Sequence, residues 1–391
     1  MTPTFLTIML ATLGYFVCVG ALLPTLPLYV EGPLDGSTVS VGLTIGLFSL
    51  SAVLIRPLIG RVGDARGRRP LMVAGAALVG VAVMAYVAAD SLALLLLLRV
   101  VAGAGEAAFY VGAASAINDI APDERRGEAF SYFSLALFAG LGMGPVIGEN
   151  ALERGGFDVA WVIAGAAALV AAAVALRVPE TRPPRTAEGP RPKTPLVHRA
   201  GLLPGVILGA HIWGLATFIS FLPLYALELG LNGSRYVFAL HSVILLVVRS
   251  VGAQIPDRLG PRRCARASLV CSTAGFAVMA LWGTVPGLLA GTVLFSLGHS
   301  LLFPALMVLA VSGAPAAERA SVVGTFTAFF DLAFGLGAVS AGGVAAVLGY
   351  RGAFAGAAIS ALTGLMLLTF FARRADHRGH DASPDLARAA G

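Results

Sequence analysis

Twelve stretches of the chain are apolar over about 20 residues, the length that crosses a bilayer core. They cover 5–30, 39–62, 71–88, 91–117, 128–151, 157–178, 203–229, 236–256, 265–283, 286–311, 320–347 and 351–371. Between the sixth and seventh lies Pro179 to Leu202, rich in Pro, Arg and Thr. Such a composition cannot bury a core and predicts an extended, solvated linker.

Composition agrees with this pattern. Of 391 residues, 57% are hydrophobic and 12% charged, with a mean hydropathy of +0.85. Soluble domains carry roughly 25% charged residues, so the chain reads as a polytopic membrane protein and an enzyme is not expected. The net charge of +6 is explained by topology. Of the 27 basic residues, 21 fall in alternate connecting segments and the termini, and only Arg154, Arg235 and Arg351 in the other connections. By the positive-inside rule both termini are cytoplasmic, and the charge is not a nucleic-acid footprint. The first stretch lacks the basic leader of a signal peptide and is too long for one, so it is expected to be a retained span. Cys18, Cys264 and Cys271 suggest no disulfide framework. No His or Cys spacing suggests a metal site. No G-x-x-x-x-G-K-[ST] loop is present, which argues against ATP as driving force. No cofactor is expected.

The chain also repeats. A shift of 193 residues carries Arg56 onto Arg249, Asp64 onto Asp257, Gly67 onto Gly260, Arg69 onto Arg262, Pro122 onto Pro315 and Arg126 onto Arg319. Parallel internal repeats of this kind are common in transporters. The expected fold is therefore an all-α membrane protein of 12 transmembrane helices in two six-helix pseudo-symmetric bundles. Residues 1–178 form the N-terminal bundle, 179–202 a cytoplasmic linker, 203–372 the C-terminal bundle and 373–391 a cytoplasmic tail.

Gly60, Asp64, Gly67, Arg68 and Arg69 spell G-x-x-x-D-x-x-G-R-R between the second and third spans. This resembles the loop signature of the major facilitator superfamily of secondary transporters, and the twelve spans and degenerate second copy extend the resemblance along the whole chain. Gly140, Gly144, Pro145 and Gly148 in span 5 resemble the G-x-x-x-G-P-x-x-G motif of its drug and metabolite antiporters. Glu149 and Ala102 depart from that branch, where glycine and glutamine are usual. The resemblance implies alternating access, a cytoplasmic latch at the loop motif, an outer gate at span 5 and a proton-coupling role for Arg99.

The residues themselves support specific chemistry. A carboxylate at Asp64, just before span 3, is favoured by the free amides of that helix. Arg68 is placed to pair with Asp64 and to reach Asp119 at the end of span 4. Gly60 and Gly67 would permit close helix approach and a tight turn. Ionisable groups inside spans are costly and are functional candidates by default. Depth places Glu106, His299 and Asp331 near mid-membrane, Arg99 in the outer half of span 4, and Arg56 and Arg249 in the inner third of spans 2 and 8. Glu106, Asp331, Arg99 and His299 are the proton-coupling candidates, and Arg56 with Arg249 a candidate inner-gate pair. Glu149 and Glu228 read as rim residues, and His211 and His241 as satisfied helix histidines. Tyr15, Phe16, Trp213, Phe218, Phe295, Phe326, Phe329 and Phe330 are candidates for a central cavity.

The expected function is export of a small amphipathic drug or metabolite, neutral or cationic, driven by protons. The partners are that small molecule, protons and the lipid bilayer; the site is the inner membrane, and a monomer suffices. An importer of a small metabolite or sugar is the nearest alternative, and a non-transporting membrane scaffold or sensor a remote one.

Overall fold

The computed structural model describes residues 2–122, 125–182, 197–251, 259–312, 314, 315 and 318–381. Its regular structure is helical, with no strand among the described residues. The helices are α1 (Pro3–Glu31), α2 (Thr38–Arg66), α3 (Arg68–Met84, extended by a 3-10 turn over Ala85–Ala88), α4 (Leu92–Ile120) and α5 (Arg126–Ala175). They continue with α6 (Arg199–Glu228), α7 (Arg235–Val251), α8 (Pro261–Leu281), α9 (Val285–Ser312) and α10 (Arg319–Asp381). Nine of the described helices are long and apolar enough to cross a membrane.

Local chemistry sets the helix ends. Thr2, Ser37 and Ser91 accept the amides of Phe5, Ser40 and Leu94 and so cap α1, α2 and α4, satisfying donors that a helix start leaves free. Two long helices are interrupted by glycine: α5 at Gly155 and Gly156, where Gly156 has φ +74, and α10 at Gly349 with φ +68. Both breaks lie in the gaps between the apolar stretches, where the chain must turn and only glycine adopts a left-handed backbone without strain.

The second connection is shorter than expected. The α2 ladder runs on to the Gly67 amide, which bonds the Gly63 carbonyl at 2.9 Å, and α3 starts at Arg68. Gly60 and Asp64 therefore lie in the last turns of α2 and not in a loop. Polar side chains at a membrane surface do not end a helix; the left-handed φ of +107 at Gly67 does.

One cluster of buried residues is drawn mainly from α1, α3, α4 and α5, and a second from α6, α8, α9 and α10. Because lipid supplies no hydrophobic drive between helices, close backbone approach at small residues is the main source of packing. A Cβ on Gly140 would meet the Leu13 carbonyl at 2.7 Å, and one on Gly144 would meet Gly20 and Ala21 at 2.5 Å. Together with Gly148 against Ala21, these glycines press α5 directly onto α1.

Two further seams join the clusters. Along α2 and α10, Gly42 and Gly46 lie against Ala338 and Gly335, and the Thr38 hydroxyl donates to the Gly342 carbonyl at 3.2 Å. Along α5 and α7, Gly142 lies against Ser242.

Candidate functional site

The α2–α10 seam ends in charge. Arg56 of α2 forms an ion pair with Asp331 of α10, and its guanidinium lies 5.3 Å from the Tyr110 ring centroid on α4. Glu106, one helical turn before Tyr110, is buried and interacts electrostatically with both Arg56 and Asp331. The Tyr15 hydroxyl of α1 faces the same carboxyl without closing a hydrogen bond of normal geometry, and Glu106 Oε2 has no hydrogen-bond partner among the described residues. Four helices thus bring Tyr15, Arg56, Glu106, Tyr110 and Asp331 into one group. Arg56 and Arg249 reach different helices: Arg249 stands over the Phe138 ring on α5 at 4.3 Å.

Arg99 is held apart from Glu106. Its Nε donates to the Thr44 carbonyl at 2.9 Å, Nη1 to the Tyr86 hydroxyl at 3.5 Å, and the guanidinium stacks on Phe48 at 4.3 Å. No described carboxylate joins it in an ion pair. These contacts tie α2 to α4.

His299 lies in a cluster with His211 and His241, not beside Glu106. His211 Nε2 and His299 Nδ1 share a hydrogen bond of 2.9 Å, so one imidazole donates and the other accepts. His241 Nδ1 and the Ser296 hydroxyl share one of 2.8 Å. His241 and His299 stack with Phe295, His211 is tilted to it, and Phe218 packs against His241. His211 is bonded through Nε2, while its Nδ1 is buried without a hydrogen-bond partner among the described residues. Among the described residues no group of His, Cys, Asp and Glu could hold a metal.

At the end of the molecule where α2 meets α3, Arg68 binds Asp64 at 2.8 Å and Asp119 at 3.1 Å. The amides at the start of α3 are occupied by Glu180, however, and not by Asp64. Glu180 Oε1 accepts the Arg68 amide at 2.8 Å and the Arg182 amide at 3.0 Å. Burial raises its pKa, but the amides of Arg68, Arg182, Arg69 and Thr181 outweigh that and hold the carboxyl below the usual range. Asp64 lies in the last turn of α2, and its carboxylate is bonded to the Arg68 side chain. The first linker residues are accordingly docked: Thr181 donates to Asp119 at 3.4 Å and Arg182 to the Ala65 carbonyl. The linker ends on His198, which bonds Glu318 at 2.8 Å and the Thr325 hydroxyl at 2.9 Å. Gly60 does not mediate close packing, since a Cβ there would meet nothing within 4 Å. Asp257 of the degenerate copy lies outside the described residues.

Glu149 is a second departure. It is 4% exposed and not a rim residue. Its Oε1 accepts the Ser234 amide and hydroxyl, each at 2.7 Å, and Oε2 the Arg235 amide at 3.0 Å. It therefore caps α7 from α5. Arg235 in turn donates to Asn150 at 2.7 Å and to Glu153 at 2.9 Å. The same end carries the hydrogen bond of the Tyr350 hydroxyl to Glu31 at 2.9 Å. Glu228 is exposed at the end of α6.

Of the cavity candidates, Tyr15, Phe16, Phe218, Phe295 and Phe326 are buried in helix packing. Trp213, Phe329 and Phe330 are half-buried, with Trp213 Nε1 donating to Ser340 at 2.8 Å. Sequence reasoning missed Glu180, Tyr110 and Phe138. For Glu180 a signal existed, a lone acid directly after span 6.

Comparison with known proteins agrees with this architecture. The family model for the Major Facilitator Superfamily matches residues 5–267 and 236–390. An uncharacterised MFS-type transporter of Salmonella typhimurium is 28% identical over 369 residues, covering 92% of this chain and 94% of the relative. Among solved structures, the human organic anion transporter MFSD10 superposes with a TM-score of 0.71 at 19% identity, covering 94% of this chain and 100% of that one. The nucleoside transporter NupG superposes with a TM-score of 0.77 at 14% identity, covering 94% and 99%. The chain therefore belongs to the major facilitator superfamily and is a multi-pass membrane transporter, not an enzyme.

Proposed function

We propose that this transporter is proton-coupled and exports a small amphipathic metabolite or drug by alternating access. In this reading it has 12 spans in two six-helix halves, 1–178 and 203–372. The linker, the tail and both termini are on the cytoplasmic side of the inner membrane, and the monomer is the working unit. The α2–α3 end is then cytoplasmic, and the end closed by Glu149 and Glu31 faces outward.

The observation that carries the reading is the Arg56–Asp331 pair, in which two halves of the repeat meet through opposite charges beside Glu106. A buried pair is costly to break from one side, by about 3–5 kcal/mol, because the remaining charge is left uncompensated. Protonation of Asp331 removes its charge and leaves Arg56 alone, unless Glu106 takes over as partner. Proton occupancy therefore biases whether the seam stays closed, which is the differential interaction that coupling requires. The Arg68–Asp64–Asp119 group with Glu180 acts as the cytoplasmic latch. Gly140, Gly144, Pro145 and Gly148 support the export direction by holding α5 against α1, next to the α5–α7 closure.

The test is proton-driven uptake into everted vesicles, followed by quenching of a pH-sensitive dye across a compound library. Asp331→Asn and Glu106→Gln are each expected to abolish substrate-dependent proton release while inserting normally. Full pH dependence in both variants would reject the assignment.

A further inference from the structure

The α5–α7 seam repeats the α10–α2 seam, and the repeat shows a missing charge. The 193-residue offset that carries Arg56 onto Arg249 also carries Phe138 onto Asp331. Both pairs are in contact in the folded chain: Arg56 with Asp331, and Arg249 with Phe138 at 4.3 Å. One arginine therefore meets a carboxylate, and its twin meets an aromatic face where the carboxylate would be.

Nothing described compensates Arg249. No described carboxylate lies in an ion pair with it, and its Nε is buried without a hydrogen bond. The ionisable groups acting on it are the imidazoles of His241 on α7 and His299 on α9, which carry no negative charge. A cation–π contact recovers less than is lost on desolvating a cation. The side chain is half-buried, so part of the guanidinium remains open to an approaching group. Asp331, meanwhile, is already paired with Arg56 and so is not free to meet a cationic substrate.

We propose that Arg249 and Phe138 bind the anionic group of an organic substrate, a carboxylate, sulfonate or phosphate ester, which supplies in this seam the charge that Asp331 supplies in the other. The planar fork of a guanidinium matches such groups in bidentate fashion, and Phe138 backs the fork on its apolar face. The proposal rests on the transport reading and sets its substrate class as anionic, in place of the cationic class that mid-membrane acids alone suggest.

Purified full-length protein is titrated with benzoate, benzenesulfonate and phenyl phosphate, and with neutral benzamide and cationic benzylamine, by calorimetry and by ligand-induced shift of the unfolding temperature. At least one anion is expected to bind, with neither benzamide nor benzylamine reproducing the effect. Arg249→Gln is expected to weaken anion binding by about 30-fold or more, as when one partner of a buried charged contact is lost. Phe138→Asp rebuilds the missing pair, and is expected to leave the unfolding temperature equal or higher while abolishing anion binding. It carries the test alone if Arg249→Gln does not fold. Absence of binding by every anion, tighter binding of benzylamine than of any anion, or unchanged anion affinity in Phe138→Asp overturns the proposal. These readouts involve no proton movement, so they stand or fall separately from the vesicle test of proton coupling.

Discussion

Replacing Glu149 by alanine removes the only described carboxylate that caps α7 and leaves the Ser234 amide, the Ser234 hydroxyl and the Arg235 amide without their acceptor. Hydrogen bonds to a charged group are each worth about 1.5–3 kcal/mol, but three that share one carboxylate are not additive. The expected loss is about 3–4 kcal/mol, within the range for breaking a buried charged contact from one side. In a state where α5 and α7 separate, these bonds are already broken, so the loss falls on the closed state alone and shifts the equilibrium roughly 10²–10³-fold towards opening. The assay is the rate at which a membrane-impermeant maleimide labels Ser242→Cys, a buried position facing Gly142 across the same seam. The background lacks the native Cys18, Cys264 and Cys271. Glu149→Ala should raise the labelling rate strongly, and Glu149→Gln, which keeps one acceptor but no charge, should fall between. An unchanged rate in Glu149→Ala would refute the reasoning, because the carboxylate would then not be holding the helices together.

Two further outcomes follow from other sites. The Glu180 carboxyl has a folded pKa below its unfolded value, so its stabilising contribution is present above the usual carboxylate range and is lost as pH falls through the depressed value. Hydrogen-exchange protection of the Arg68 and Arg69 amides, corrected for intrinsic rate, should persist at neutral pH and disappear on strong acidification; in Glu180→Gln it should be weak at every pH. Gly144→Val should cost about 1–3 kcal/mol or more through overpacking of α1 against α5. Gly60→Ala, with open space at its Cα, should leave the fold unchanged. Size-exclusion profiles and unfolding temperatures of the two variants compare them directly, and equal destabilisation would contradict the packing described.

The helical class, the membrane character and the family were legible from the chain alone, because they depend on runs of apolar residues and on local motifs. The internal repeat was equally legible, and it placed Arg56 on Arg249 by position. What those side chains touch was not, because each contact crosses between helices far apart in the chain. Arg56 meets Asp331, 275 residues away, and Glu149 meets Ser234, 85 residues away. A period of apolar residues says which segments span the bilayer, but all faces of such a segment are apolar, so it does not say which face turns to a neighbour. Packing such as that at Gly42, Gly46 and Gly142 sets those rotations. For the same reason Glu149 read as a rim residue and Glu180 drew no notice in the sequence, while the tertiary structure brings backbone amides of another segment onto each.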